Sequence, residues 1–139
     1  MNLRKVFVIF DTIKRRLPKT YPKPRLAFFE DENCLLDNMR IERGNFSIYA
    51  VVDPDTYTIN MPMRMSLKHT YGPNKKAILK SVPISKFSDK DIALTILHEY
   101  AHLYAGERYG WDSKQYFDEI YCDRFAERWY KKMKEEKLL

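Results

Sequence analysis

A chain of 139 residues with 45% hydrophobic and 14% aromatic residues has enough apolar surface to fold around a core, so it is not a disordered polymer, and its length makes one domain over 1–139 the expectation. The net charge of +6 leaves room for acidic partners, nucleic acid included, but the basic residues are spread along the chain and no nucleic-acid-binding motif accompanies them. Two cysteines, Cys34 and Cys122, are too few for a disulfide framework and read as reduced thiols in a cytoplasmic protein; no stretch is long and apolar enough for a membrane span, and Val6 to Phe10 is too short for a signal-peptide core.

In chain order, residues 3 to 17 carry Leu3, Val6, Phe7, Phe10, Ile13 and Leu17 on one stripe, which predicts an amphipathic helix serving as scaffold. Pro18, Pro22 and Pro24 end it and impose an extended link. "RLAFFE" then reads as a strand. "NFSIYAVVDPDTYTINMPM" reads as two strands turned at Asp53-Pro54-Asp55, and so short a connection predicts antiparallel pairing. "HTYGPNKK", residues 69 to 76, reads as a loop holding a surface histidine, His69, and residues 77 to 87 are ambiguous. A second helix starts near Ser88, with Asp91 three residues on, and stops at Gly110. Asp112 with Gln115 looks like the next capping pair, opening a last helix that runs to about 135 and ends in a frayed, charged tail. The fold class expected is α+β: a small antiparallel or mixed sheet packed on two successive helices, with an N-terminal helix.

The chemistry concentrates in "ALTILHEYAHLYAG", residues 93 to 106. Positions four apart share a helix face, so His98 and His102 can reach one cation. Imidazole suits zinc, and catalytic zinc commonly takes three protein ligands and leaves a fourth position to water. Glu99, beside the first histidine, can reach that water without binding the metal, which is where a general base is needed. The flanking Ile92, Leu94, Ile96, Leu97, Ala101 and Leu103 make the helix apolar nearly all round. Burying two histidines and a glutamate there is costly unless they have partners, and a metal supplies one.

A third ligand is available in "DEIYCDRFAERW". Glu119 and Asp123 share a face. At 1.5 Å per residue the chain travels about 12 Å from His102 to the turn near Gly110 and about 10 Å back to Glu119. An antiparallel helical hairpin therefore returns Glu119 to the level of His102, where it can complete a zinc triad. Asp123 returns to the level of His98, where its carboxylate can accept the ring N–H opposite the metal. Asp118 is a weaker rival as ligand, and Cys122 is either a small buried residue or a thiolate near the metal.

His98-Glu99-x-x-His102 followed by Glu119-x-x-x-Asp123 resembles the gluzincin pattern of zinc metallopeptidases. "EIYCDRFA" is similar to the glutamate helix of the soluble minigluzincins and of related membrane-embedded peptidases, with Cys122 where that family usually has alanine. The resemblance covers mainly residues 88 to 130. It implies one catalytic Zn2+, a small sheet above the active-site helix, Glu119 as third ligand and Asp123 as its neighbour's hydrogen-bond partner. A related pattern in peptidase-like repressor-cleaving proteins has a glutamate directly before the small residue, where this chain has Tyr121. Some small members are latent, with a terminal segment in the cleft.

The activity expected is hydrolysis of a peptide or unfolded protein substrate, with Glu99 as base. A tyrosine would serve as oxyanion donor, and Tyr109, Tyr116 and Tyr130 lie near the site. "TYTINMP", residues 56 to 62, is the candidate sheet edge for an extended substrate. The competing expectation is a zinc-binding module that keeps the fold, has a latent cleft and binds a protein or nucleic acid. Other enzyme classes lack their marks: there is no Gly-x-Ser-x-Gly, no phosphate-cradling glycine loop and no Cys-x-x-Cys.

Overall fold

The computed structural model describes residues 3–30, 48, 50–71 and 76–139. Helix α1 spans Arg4–Arg16 and buries Val6, Ile9, Phe10 and Ile13. The expected stripe shifts slightly: Ile9 is buried, while Phe7 is 42% exposed and edges onto Phe28. Lys14, Arg15 and Arg16 crowd the last turn, where cations favour the helix dipole.

Three strands follow: β1 (Arg25–Phe29), β2 (Val51–Asp53) and β3 (Thr58–Pro62). Their order is β1-β3-β2, with β1 parallel and β2 antiparallel to β3, so the sheet is mixed. The β2–β3 turn forms as its sequence predicts. Asp53 Oδ1 accepts from the backbone N–H of Asp55 at 3.0 Å and of Thr56 at 3.4 Å, a side chain standing in for a backbone turn. Residues 58–62 are the central strand and not the free edge expected of 56–62, because β1 claims their other side. Among the described residues β2 is the edge on the side of the histidine helix.

Strands β4 (Arg64–Tyr71) and β5 (Lys76–Pro83) form a two-stranded antiparallel hairpin. The expected loop over 69 to 76 is thus strand as far as Tyr71 and again from Lys76, and the ambiguous stretch after it is strand followed by a 3-10 turn at Ile84–Lys86. Cross-strand pairing extends this ribbon beyond what local propensity marks. His69 falls within β4, opposite Ile78. Cys34 and the start of "NFSIYA" lie outside the described residues.

Helix α2, Asp89–Tyr109, is the central element and packs on α1, β2, β3 and the last helix. Ser88 caps it by accepting from the Asp91 N–H at 3.1 Å. Gly110 ends it at φ +107, a region only glycine enters cheaply. The expected Asp112/Gln115 cap does not form. Ser113 is the cap instead, of a single turn α3, Lys114–Phe117. The chain then breaks at Asp118, which is extended and caps α4, Glu119–Glu135, by accepting from the N–H groups of Ile120 at 3.0 Å and Tyr121 at 3.1 Å. The break makes Glu119 the first residue of a new helix and points that helix back along α2. The C-terminal tail is tied down rather than frayed. Glu136 pairs with Arg16 at 2.7 Å and Leu139 packs against the core. No helix among the described residues is long and apolar enough to cross a membrane.

Candidate metal centre

Apart from Thr95, the buried polar side chains among the described residues are His98 and Glu99, each 6% exposed and adjacent on α2. His102 follows one turn later, with the two imidazole centroids 5.0 Å apart. Each ring is held by its Nδ1. In His98, Nδ1 lies 2.7 Å from Asp123 Oδ1. In His102, Nδ1 lies 2.6 Å from the backbone carbonyl oxygen of Tyr116. A carbonyl has no proton to give, so Nδ1 of His102 carries the hydrogen and donates it. In His98 carboxylates face both nitrogens, Asp123 at Nδ1 and Glu119 at Nε2, so each ring nitrogen has an acceptor to donate to. Both Nε2 atoms are therefore the inward-facing nitrogens.

Glu119 occupies the point on which they converge. Its Oε2 is 2.7 Å from Nε2 of His98 and its Oε1 is 3.2 Å from Nε2 of His102. The two histidines hold the Glu119 carboxyl well below the usual carboxylate range. Burial alone would lower both imidazoles, but hydrogen bonds to Glu119, and to Cys122 for His102, together with the charge of Glu99, raise them. The local field thus favours positive charge. Two imidazole nitrogens and a carboxylate, with both rings oriented by acceptors on their far side, form the donor set and support that divalent zinc uses. The residues present fit that ion.

The site opens on a cavity of about 240 Å3 walled by Val51 and Val52 of β2, by Glu99 and His102 of α2, and by Tyr116, Phe117 and Glu119. Glu99 is pushed up to about 7, chiefly by burial, with the neighbouring histidines and the Val52 backbone N–H pulling it partly back. Burial also raises the Tyr116 phenol.

All five residues singled out from sequence, His98, Glu99, His102, Glu119 and Asp123, meet here. Asp118 is a helix cap and not a rival ligand, since its Oδ1 is turned to the backbone. Of the three tyrosines, only Tyr116 lines the cleft. Tyr109 is 47% exposed against Tyr121, and Tyr130 stands beside Lys90. Sequence reasoning missed the Tyr116 carbonyl and the Val52 amide. Both are backbone groups, so no residue type advertises them; the Ser113 cap that fixes the Tyr116 turn was the available sign. No protein-family model matches the chain, and no curated protein or solved structure matches it significantly.

Proposed function

We propose that the chain is a zinc-dependent metallopeptidase that hydrolyses peptide bonds in extended or unfolded substrates. One observation carries this reading: two Nε2 atoms, each on a ring held at its Nδ1, converge on Glu119 while a separate buried carboxyl, Glu99, faces the same cleft. His98, His102 and Glu119 would hold the ion. When bound, zinc would supply Lewis acidity, acidifying a water and polarising the scissile carbonyl.

The chain's own groups do the rest. Asp123 and the Tyr116 carbonyl keep the imidazoles from rotating, so their Nε2 atoms stay aimed inward. Glu99 accepts the proton of the attacking water and passes it to the leaving amine. A carboxyl near 7 can do both at neutral pH, because neither protonation state is strongly disfavoured. The Tyr116 hydroxyl is the donor we assign to a developing oxyanion, since Tyr116 is the tyrosine that lines the cleft among the described residues. Edge strand β2 walls the same cavity and offers main-chain groups to an extended substrate, the mode by which peptides add to sheets.

The test is cleavage of an unstructured protein by zinc-loaded chain, beside Glu99→Gln prepared identically. The parent cleaves, and the variant loses at least about 100-fold, the lower bound for removing a positioned acid–base group. Equal cleavage by both would refute the mechanism.

A further inference from the structure

The three-ligand reading leaves unused a further donor that stands beside the histidine pair. Cys122 lies three residues after Glu119 on α4, so one turn further along the same helix face. It is fully buried, yet it does not point into plain hydrocarbon. Its Sγ and one nitrogen each of His98 and His102 all lie within 4.8 Å of one another. Since Nδ1 of each ring is already turned to Asp123 or to the Tyr116 carbonyl, the nitrogens facing the thiol are the two Nε2 atoms.

Tetrahedral zinc, with bonds of about 2.0 Å to nitrogen or oxygen and 2.3 Å to sulfur, requires the ligand atoms of a one-sulfur centre roughly 3.3–3.5 Å apart. The histidine–cysteine group is within about 1.5 Å of that spacing, and Glu119 already stands 2.7 and 3.2 Å from the same nitrogens. Glu119 and Cys122 thus each stand beside the same pair of histidines. Thiolate is among the ligands zinc prefers, and four protein donors make a closed centre rather than one with a position left to water.

We propose that Cys122 is a fourth protein ligand, so that the resting centre is closed as His98, His102, Glu119 and Cys122. This rests on the metal reading given above. On binding, the S–H bond breaks, the proton passes to solvent and a sulfur–metal bond forms. A closed resting centre has to shed its thiolate before a water can take the fourth position, which makes the cysteine a latch within the site itself.

The experiment uses the full chain with Cys34→Ser, so that Cys122 is the sole thiol, loaded with Co2+ in place of zinc. The expected result is one bound ion with the intense near-ultraviolet absorption of a sulfur-to-cobalt charge transfer. Cys122→Ala lacks that absorption and binds zinc at least about 10-fold more weakly in chelator competition, as loss of a group that holds the ion demands. The band in the Cys122-containing chain is decisive even should the alanine variant fold poorly. Stoichiometric cobalt that depends on His98 but shows no sulfur band overturns the proposal and leaves the peptidase reading standing. No cobalt bound at all overturns both.

Discussion

Replacing Asp123 with alanine removes the acceptor that faces Nδ1 of His98 at 2.7 Å. The carboxylate side chain is 13% exposed and the imidazole 8%, so water does not readily take its place. A hydrogen bond to a charged group contributes about 1.5–3 kcal/mol. Loss of such a partner behind a metal-ligating histidine typically costs 10–100-fold in metal affinity, which at 1.4 kcal/mol per decade is about 1.4–2.8 kcal/mol. The two routes give the same size of effect, and Asp123→Ala is expected to bind zinc 10–100-fold more weakly than the parent. The assay is competition against a chromophoric chelator at neutral pH, with circular dichroism to confirm that α4 persists. Asp123→Asn is the informative control. Its amide oxygen still accepts from Nδ1–H and preserves the tautomer but contributes no charge, so it falls between the parent and alanine. Parent-like affinity in Asp123→Ala would refute the orienting role. An asparagine variant as weak as alanine would assign the effect to charge and not to orientation.

Three further outcomes follow from the geometry. Asp118→Asn keeps both stability and zinc affinity, since asparagine caps as well as aspartate, whereas Asp118→Ala loses about 1 kcal/mol in denaturant unfolding; a drop in zinc affinity for the asparagine variant would restore Asp118 as a ligand. Tyr116→Phe leaves zinc affinity unchanged, because His102 uses the backbone carbonyl of that residue, and lowers kcat by about 100-fold or more with little change in KM; steady-state kinetics on a defined peptide decide it. Gly106→Ala would place a Cβ 2.2 Å from the Trp111 ring. An unobstructed glycine-to-alanine change in a helix gains up to about 1 kcal/mol, but overpacking costs about 1–3 kcal/mol, so the melting temperature falls and Trp111 emission, isolated in Trp129→Phe, shifts to the red. A higher melting temperature with unchanged emission would contradict the close approach.

The candidate site was legible because its side chains carry both identity and period. His98 and His102 are four apart, Glu119 and Asp123 are four apart, and helix rise alone brings the two pairs level. The connection between them was less legible. A periodic stretch from Asp112 onward suggests one helix, but Asp118 can bond its own downstream amides as well as sit within a helix, and it breaks the stretch in two. The sheet was legible in its strands and not in its order. Nothing local in Thr58 to Pro62 says that Arg25 to Phe29 will pair along its other side, because parallel pairing is made across a long connection. The hairpin of β4 and β5 was missed for a similar reason: its register is held by cross-strand pairing, while Gly72-Pro73 dominates the local signal.

The two carboxyls of the cleft argue against a merely self-satisfied polar cluster. Glu119 is 63% exposed in its side chain, yet two imidazoles keep it ionised. Glu99 is buried with the same imidazoles nearby, and burial wins, moving it from 4.5 to about 7. That displacement weighs against the ionised form by on the order of 3 kcal/mol. A cluster serving only the core would do better with an apolar side chain of similar volume at that position, since buried charge is often neutral or costly for stability. Environments that drive two neighbouring carboxyls in opposite directions instead separate their roles. One stays charged and suits a cation. The other can gain or lose a proton near neutral pH, and it shares the cavity with Val52 of the edge strand where an extended chain would lie.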